Sequence, residues 1–266
     1  MTLLHGVLLF VAALLAGTLN AVAGGGTFLT VPTLIFVGVL PVTANATSTV
    51  ALWPGYLASA GAYRQEFAQE RARLISLGGI SLLGGILGAV LLLHTPQHVF
   101  LRLLPFLLLL ATLLFALGPQ ITTLVRRNAP AVSGKTEQAL APEPTRASGL
   151  VAGFLQLIVS IYGGFFGGGI GILMLSLLTV SGMTNIHAMN AVKTGLSFLI
   201  NGVAVVLFIA ARIVAWPYAL VMLAGSLLGG YYGAFFARKL DPQVIRMVVI
   251  GVGGVVSVVL FVQAYL

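Results

Sequence analysis

The stretch VAGGGTFLTVP, residues 22–32, places three consecutive glycines inside a long apolar sequence. Each glycine costs a helix about 1 kcal/mol relative to alanine, so the run favours a break. The segment that follows, residues 27–40, would reach only about 21 Å as a helix, short of the ~30 Å hydrocarbon core of a bilayer. We therefore expect a helix that is broken inside a membrane.

The composition of the whole chain supports a membrane location. Hydrophobic residues make up 59% of the 266 residues and charged residues only 7%, whereas a soluble domain carries about 25% charged residues. The apolar runs are long and continuous, which is typical of helices rather than of barrel strands. The expected fold class is an all-α polytopic membrane protein. The absence of cysteine excludes disulfides and thiol redox chemistry.

The apolar segments form two sets of five. The first set lies at about 3–23, 27–40, 44–63, 74–94 and 99–118, and the second at about 148–166, 170–182, 187–210, 216–236 and 243–264. Prolines, small residues and mixed charges between the sets predict a flexible linker. The predicted organisation is a first membrane repeat at 1–118, a linker at 119–147 and a second membrane repeat at 148–266.

An internal duplication relates the two sets. SLLGGILGA at residues 81–89 recurs 145 residues later as SLLGGYYGA at residues 226–234. With a two-residue gap, the glycine run at 24–26 pairs with the run at 167–169. Because residues 170–182 are as short as the segment after the first run, we expect two broken or re-entrant helices that meet near the membrane midplane.

Positive charge predicts the topology. Five segments per half is an odd number, so the second repeat should be inverted relative to the first. If the linker is cytoplasmic, ten lysines and arginines lie on that side and only Arg102 and Arg212 on the other. This is the bias of a cytoplasmic face, and it places both termini outside the bacterial plasma membrane. Inverted repeats of this kind are typical of secondary transporters.

The glycine runs predict an anion site. A helix that begins inside the membrane directs unbonded N–H groups and the positive end of its dipole into the cavity there, and glycine lets an anion approach closely. The candidate substrate-binding residues at the breaks are Gly24, Gly25, Gly26, Thr27, Gly167, Gly168 and Gly169. Close helix packing explains the GxxxG pairs Gly84/Gly88 and Gly229/Gly233 better.

Lys193 is the basic residue that lies well inside a segment. Every carboxylate falls in a predicted loop, so an anionic substrate is the natural partner of a buried ammonium. The alternative is that Lys193 snorkels to the cytoplasmic surface.

Other polar residues of the segments complete the candidate site. Asn45 and Asn190 occupy equivalent places in the repeat, with Thr47 and Thr194 nearby, and Asn20 precedes the first break. The hydroxyls can instead bond their own helix carbonyls. HExxH, GxSxG and Walker motifs are absent from the sequence, so we expect no enzyme, no cofactor and no metal site.

The segments AGTLNAVAGGGTFLTVP and GGFFGGG, with NAVKT, resemble the TauE/SafE sulfite exporter family. The resemblance implies a plasma-membrane permease for sulfite or a short sulfonate. Applied by position, it marks Asn20, the glycines at 24–26, Asn45, Thr47, Gly167, Gly169, Asn190, Lys193 and Thr194. The second repeat reads N-A-V-K where members often have N-A-T-K, so the hydroxyl before the lysine is lost.

The expected function is a permease that exports a small anion through a central site between the repeats. A membrane potential that is negative inside drives a monovalent anion outward by about 2.3 kcal/mol per 100 mV. Proton-coupled uptake of an organic or sulfur-containing anion is one alternative, and a non-transporting membrane scaffold is another. The expected partners are the anion, the lipid bilayer and a second copy of the chain in a homodimer; nucleic acid is not expected.

Overall fold

The computed structural model describes residues 2–22, 24–128, 146–183, 185–236 and 242–265, and every regular element in them is a helix. The α-helices are α1 Leu3–Val22, α2 Thr27–Phe36, α3 Pro41–Ala60, α4 Arg64–Gln69, α5 Arg71–Leu93, α6 Gln97–Asn128, α7 Arg146–Phe165, α8 Ile170–Val180, α9 Ile186–Ala210, α10 Trp216–Phe236 and α11 Pro242–Tyr265. A 3-10 turn, Gly61–Tyr63, joins α3 to α4. The expected all-helical class is confirmed.

Several helices have membrane length. The stretches Leu3–Ala21, Arg71–Leu93, Gln97–Leu114 and Ile186–Ala210 are long and apolar enough to cross a bilayer. The helices after the two glycine runs are short, with 10 residues in α2 and 11 in α8. At 1.5 Å per residue they reach about 15–17 Å, roughly half of a hydrocarbon core.

The largest differences from the sequence prediction are at two helix ends. Helix α2 stops at Phe36 rather than near residue 40, because Gly38 has φ +91° and the amide of Val39 donates to the carbonyl of Leu34 at 3.0 Å. This glycine-dependent bond pattern is a common way to end a helix. Helix α6 continues beyond residue 118 to Asn128, into the predicted linker. Residues 129–145 of that linker lie outside the described residues.

Glycines allow close contact between helices that are distant in sequence. Helix α1 packs along α10, and α5 packs along α7. A Cβ at Gly84 or Gly88 would collide with the backbone of α7, and one at Gly229 or Gly233 would collide with the backbone of α1. The packing role expected for the two GxxxG pairs is confirmed.

Helices α3 and α9 cross at a pair of aromatic residues. Trp53 stacks on Phe198 with ring centroids 4.9 Å apart, and its Nε1 donates to the Phe198 carbonyl at 3.0 Å. Trp53 also lies against Gly202, whereas Arg64, beyond the end of α3, lines one cavity with Thr194. The two helices therefore run antiparallel, and the residues that meet are separated by the 145-residue shift of the duplication.

Candidate functional site

The first glycine break is held by a side-chain cap. Gly24 and Gly25 have φ +74° and +127°, which only glycine adopts readily. The Oδ1 of Asn20 accepts hydrogen bonds from the amides of Gly25 and Gly26 at 2.8 and 2.7 Å. Buried amides need such partners where water is absent. The expectation of free amides at Gly25 and Gly26 is therefore wrong, because Asn20 occupies them.

The second break is built differently. Gly167 and Gly169 have φ +78° and +76°, and the Tyr162 hydroxyl donates to the carbonyl of Gly168 at 2.6 Å. Within the described ranges no group bonds the amides of Gly168 or Gly169. Gly169 is the residue before α8, so these amides lie at the N-terminal end of that helix. They retain the capacity to bind an anion that was predicted for both breaks.

The two breaks meet in space. A Cβ on Gly24 would lie 2.9 Å from the Cα of Gly171, at the start of α8. A Cβ on Gly167 would lie 3.8 Å from both the Oγ1 of Thr27 and the Oδ1 of Asn201. The first break and the second break therefore form one junction, the glycine junction. The hydroxyl of Thr27 and the amide oxygen of Asn201 lie beside its glycines.

Asn45 joins α3 to the second break. It is 1% exposed, and its Nδ2 donates to the carbonyl of Phe165, two residues before Gly167, at 2.9 Å. Its Oδ1 has no hydrogen-bond partner in the described ranges. The hydroxyl oxygen of Thr47, in contrast, already accepts a bond from the amide of Ala215 at 3.0 Å. Thr47 thus anchors the connection before α10, and this bond gives it a structural role in addition to the predicted one.

Lys193 is buried without a counter-charge. Its side chain is 2% exposed, which contradicts the alternative of a lysine that snorkels to the surface. Within the described part of the chain its Nζ has no hydrogen-bond partner. Of the described carboxylates, Glu66 lies in α4 and Glu70 follows the end of that helix, where it pairs with Arg73 at 3.5 Å. The buried ammonium is therefore left without a carboxylate in the described part of the chain.

Asn190 and Thr194 accompany Lys193 on α9. The Oδ1 of Asn190 is buried and no described residue hydrogen-bonds it, and Thr194 is 3% exposed. The three residues recur at helical spacing and so share one side of α9. The predicted polar residues of the second repeat thus lie together.

The predicted polar residues Asn45 and Lys193 do not lie at one point. Helices α3 and α9 are antiparallel and meet at Trp53 and Phe198. Residues that precede Trp53 in α3 and residues that precede Phe198 in α9 therefore lie in opposite directions from this contact. Asn45 lies eight residues before Trp53 and Lys193 five residues before Phe198, which corresponds to about 12 Å and about 7.5 Å along the helix axes. The candidate residues therefore form an extended polar path rather than a compact site.

The buried polar residues that sequence reasoning missed include Asn201, Ser197 and Gln156. Asn201 lies beside Gly167, the Ser197 hydroxyl approaches the Met174 sulfur at 3.8 Å, and the Nε2 of Gln156 donates to the Ser81 hydroxyl at 2.8 Å. The Oε1 of Gln156 has no hydrogen-bond partner among the described residues. Asn201 and Ser197 follow Lys193 at intervals of four residues, and this helical spacing is the signal that could have revealed them.

The chain is similar to one protein family and to several proteins that are named as probable membrane transporters. The family "Sulfite exporter TauE/SafE" matches residues 9–260. A "Probable membrane transporter protein" of Haemophilus influenzae is 30% identical over 91% of this chain and 89% of its own length. The "Probable membrane transporter protein ORF9" of a Sinorhizobium species is 28% identical, over 90% of this chain and 85% of its own. For "Probable membrane transporter protein YfcA" of Escherichia coli K12 the identity is 29%, over 96% and 88%. No solved structure matches the chain significantly.

Proposed function

The chain belongs to the TauE/SafE sulfite exporter family, a family of membrane transporters and not of enzymes, and we propose that it is a permease for a small anion. The substrate class is sulfite or a short organosulfonate. The observation that carries the proposal is Lys193, a buried ammonium whose Nζ has no hydrogen-bond partner among the residues that the structure describes. An unpaired charge in a membrane protein is costly, and such residues mark the pathways of substrates and ions. A passing anion removes that cost.

The glycine junction supports the same substrate class. The unbonded amides of Gly168 and Gly169 present N–H donors at the start of α8, where the helix dipole favours negative charge. Asn20 holds the opposing break in shape rather than leaving its amides open. The anion passes Lys193 in one half of the molecule and the amides of the second break near the centre.

The proposed architecture is two inverted repeats, residues 1–118 and 148–266, with a cytoplasmic linker and both termini outside. Three features support it. The contacts of α1 with α10 in one pair of helices correspond to the contacts of α7 with α5 in the equivalent pair. Trp53 and Phe198, which are equivalent in the duplication, contact each other. Lysine and arginine accumulate on the proposed cytoplasmic side. In this arrangement α2 and α8 are the returning arms of re-entrant hairpins.

The proposed direction is export driven by the membrane potential. Moving one negative charge outward across 100 mV releases about 2.3 kcal/mol, and the described part of the membrane segments offers Lys193 as its buried charged residue rather than a carboxylate. Coupling to a second ion is not needed for net export.

The test is anion efflux from proteoliposomes loaded with sulfite, sulfoacetate, sulfate or lactate, under a potassium diffusion potential of either sign. We expect efflux of a sulfur-containing anion to saturate with concentration and to accelerate when the inside is negative. A flux that ignores the potential and follows a pH gradient would instead favour proton-coupled uptake. No flux of any anion from well-folded protein would refute the proposal and favour a scaffold.

A further inference from the structure

A cavity of about 470 Å³ lies between the end of α3, helix α4 and the first half of α9. It is distinct from the glycine junction, because its lining comes from Tyr56, Arg64 and Thr194 among others and includes neither break. Thr194 is the neighbour of Lys193 in the sequence, so the cavity ends close to the buried ammonium. Lys193 itself does not line it.

The chemistry of the lining suits an anion. Arg64 is the charged residue of the lining and is exposed, so its guanidinium can meet a solute from water. Tyr56 and Thr194 contribute hydroxyls, and the remaining lining is apolar. Of the carboxylates in and just after helix α4, Glu66 does not line the cavity and Glu70 pairs with Arg73. A guanidinium beside hydroxyl donors is a suitable arrangement for an oxyanion.

One aromatic side chain of the cavity lining packs directly against α9. The ring of Phe67 packs so closely on Gly195 that a Cβ at this position would lie 2.9 Å from the Phe67 Cε1. In the first repeat the equivalent position is Val50, and the equivalent of Thr194 is Thr49, whose hydroxyl donates to the Asn45 carbonyl at 2.9 Å.

We infer that this cavity is an access vestibule, a second anion-binding site that receives a small oxyanion at Arg64 and passes it along Thr194 to Lys193, with Phe67 as its gate. The inference rests on the proposed function, since it supplies the route to the same pathway. It assigns roles to Arg64 and Phe67 in recruiting and admitting the substrate.

Thiol chemistry tests the vestibule without knowledge of the substrate, because the chain contains no cysteine. Thr194→Cys and Thr49→Cys are prepared as single-cysteine variants, purified in detergent so that both faces are open, and checked for a monodisperse elution profile. Each reacts with an anionic and with a cationic methanethiosulfonate of similar size. Ala60→Cys, also on the cavity wall, serves if Thr194→Cys does not fold.

We expect Thr194→Cys to react at least about tenfold faster than Thr49→Cys, and to prefer the anionic reagent. Adding Arg64→Gln should slow the anionic reagent and speed the cationic one by on the order of threefold each, as expected for one nearby charge in water. Adding Phe67→Ala should accelerate both reagents alike. Equal reactivity of the two cysteines, or a charge preference that Arg64→Gln leaves unchanged, would overturn the vestibule.

The outcome separates the vestibule from the proposed function. If the cysteine results fail while wild-type proteoliposomes still transport an anion, the permease stands and the access route is wrong. If the cysteine results hold while no anion is transported, Arg64 forms an anion site in a protein with another activity.

Discussion

Replacing Asn20 with leucine removes the cap of the first break while nearly preserving the volume of the side chain. In the structure the Oδ1 of Asn20 accepts from the amides of Gly25 and Gly26 at 2.8 and 2.7 Å, and Asn20 is 7% exposed. Leaving a buried donor unsatisfied costs about 1–3 kcal/mol. Two orphaned amides therefore predict a loss of about 2–6 kcal/mol in the free energy of unfolding.

The assay is a reversible unfolding titration of the purified protein in mixed micelles, followed by tryptophan fluorescence. The matched control is Thr18→Val on the same helix, where the hydroxyl donates to the carbonyls of Leu14 and Gly229 at 3.0 and 3.2 Å. Removing this donor should cost no more than about 1 kcal/mol, because it orphans no amide. Asn20→Asp keeps the acceptor and should remain more stable than Asn20→Leu.

A free energy of unfolding of Asn20→Leu within about 1 kcal/mol of the wild-type value, the size of one ordinary hydrogen bond, would refute the capping role of Asn20. That result would mean that the amides of Gly25 and Gly26 find other partners or remain solvated, and that the break does not depend on its cap.

Further predictions concern helix packing, the contact of the two repeats and backbone conformation. Gly88→Ala should destabilise the protein by about 1–3 kcal/mol because its Cβ meets the backbone of α7. Gly79→Ala has open space around it and should stabilise α5 by up to about 1 kcal/mol. Equal changes of the two variants in the free energy of unfolding would contradict this prediction. Trp53→Phe keeps the stacked ring but loses the bond to the Phe198 carbonyl, so it should cost about 1 kcal/mol, against about 3–5 kcal/mol for Trp53→Ala. Gly167→Ala should cost about 1–2 kcal/mol at φ +78°, and a neutral effect on unfolding would show that the break relaxes.

Much of the fold follows from local sequence. Composition identifies membrane helices, and the glycine runs locate the two breaks because glycine both weakens a helix and permits positive φ. Helix ends were less predictable. The end of α2 depends on a bond from Val39 to Leu34 that requires Gly38, and α6 continues through the Gly-Pro pair at 118–119 that otherwise indicates a helix end.

The candidate site was predictable in residue type but not in arrangement. The burial of Lys193 without a partner follows from the distribution of carboxylates along the sequence. The partners of the other residues do not, because Asn45 bonds Phe165, 120 positions away, and Thr47 bonds Ala215, 168 positions away. The separation of Asn45 from Lys193 depends on the antiparallel crossing of α3 and α9, which no local pattern contains.

The central claim is that the unpaired ammonium of Lys193 serves a passing anion. The most direct measurement is the current that a sulfur-containing anion evokes from proteoliposomes on a solid-supported membrane, for the wild type and for Lys193→Met. Methionine matches the length of the lysine stem without its buried charge, so the variant should fold at least as stably. We expect a saturable current in the wild type and none in the folded variant; an equal current with an unchanged half-saturation concentration would contradict the account.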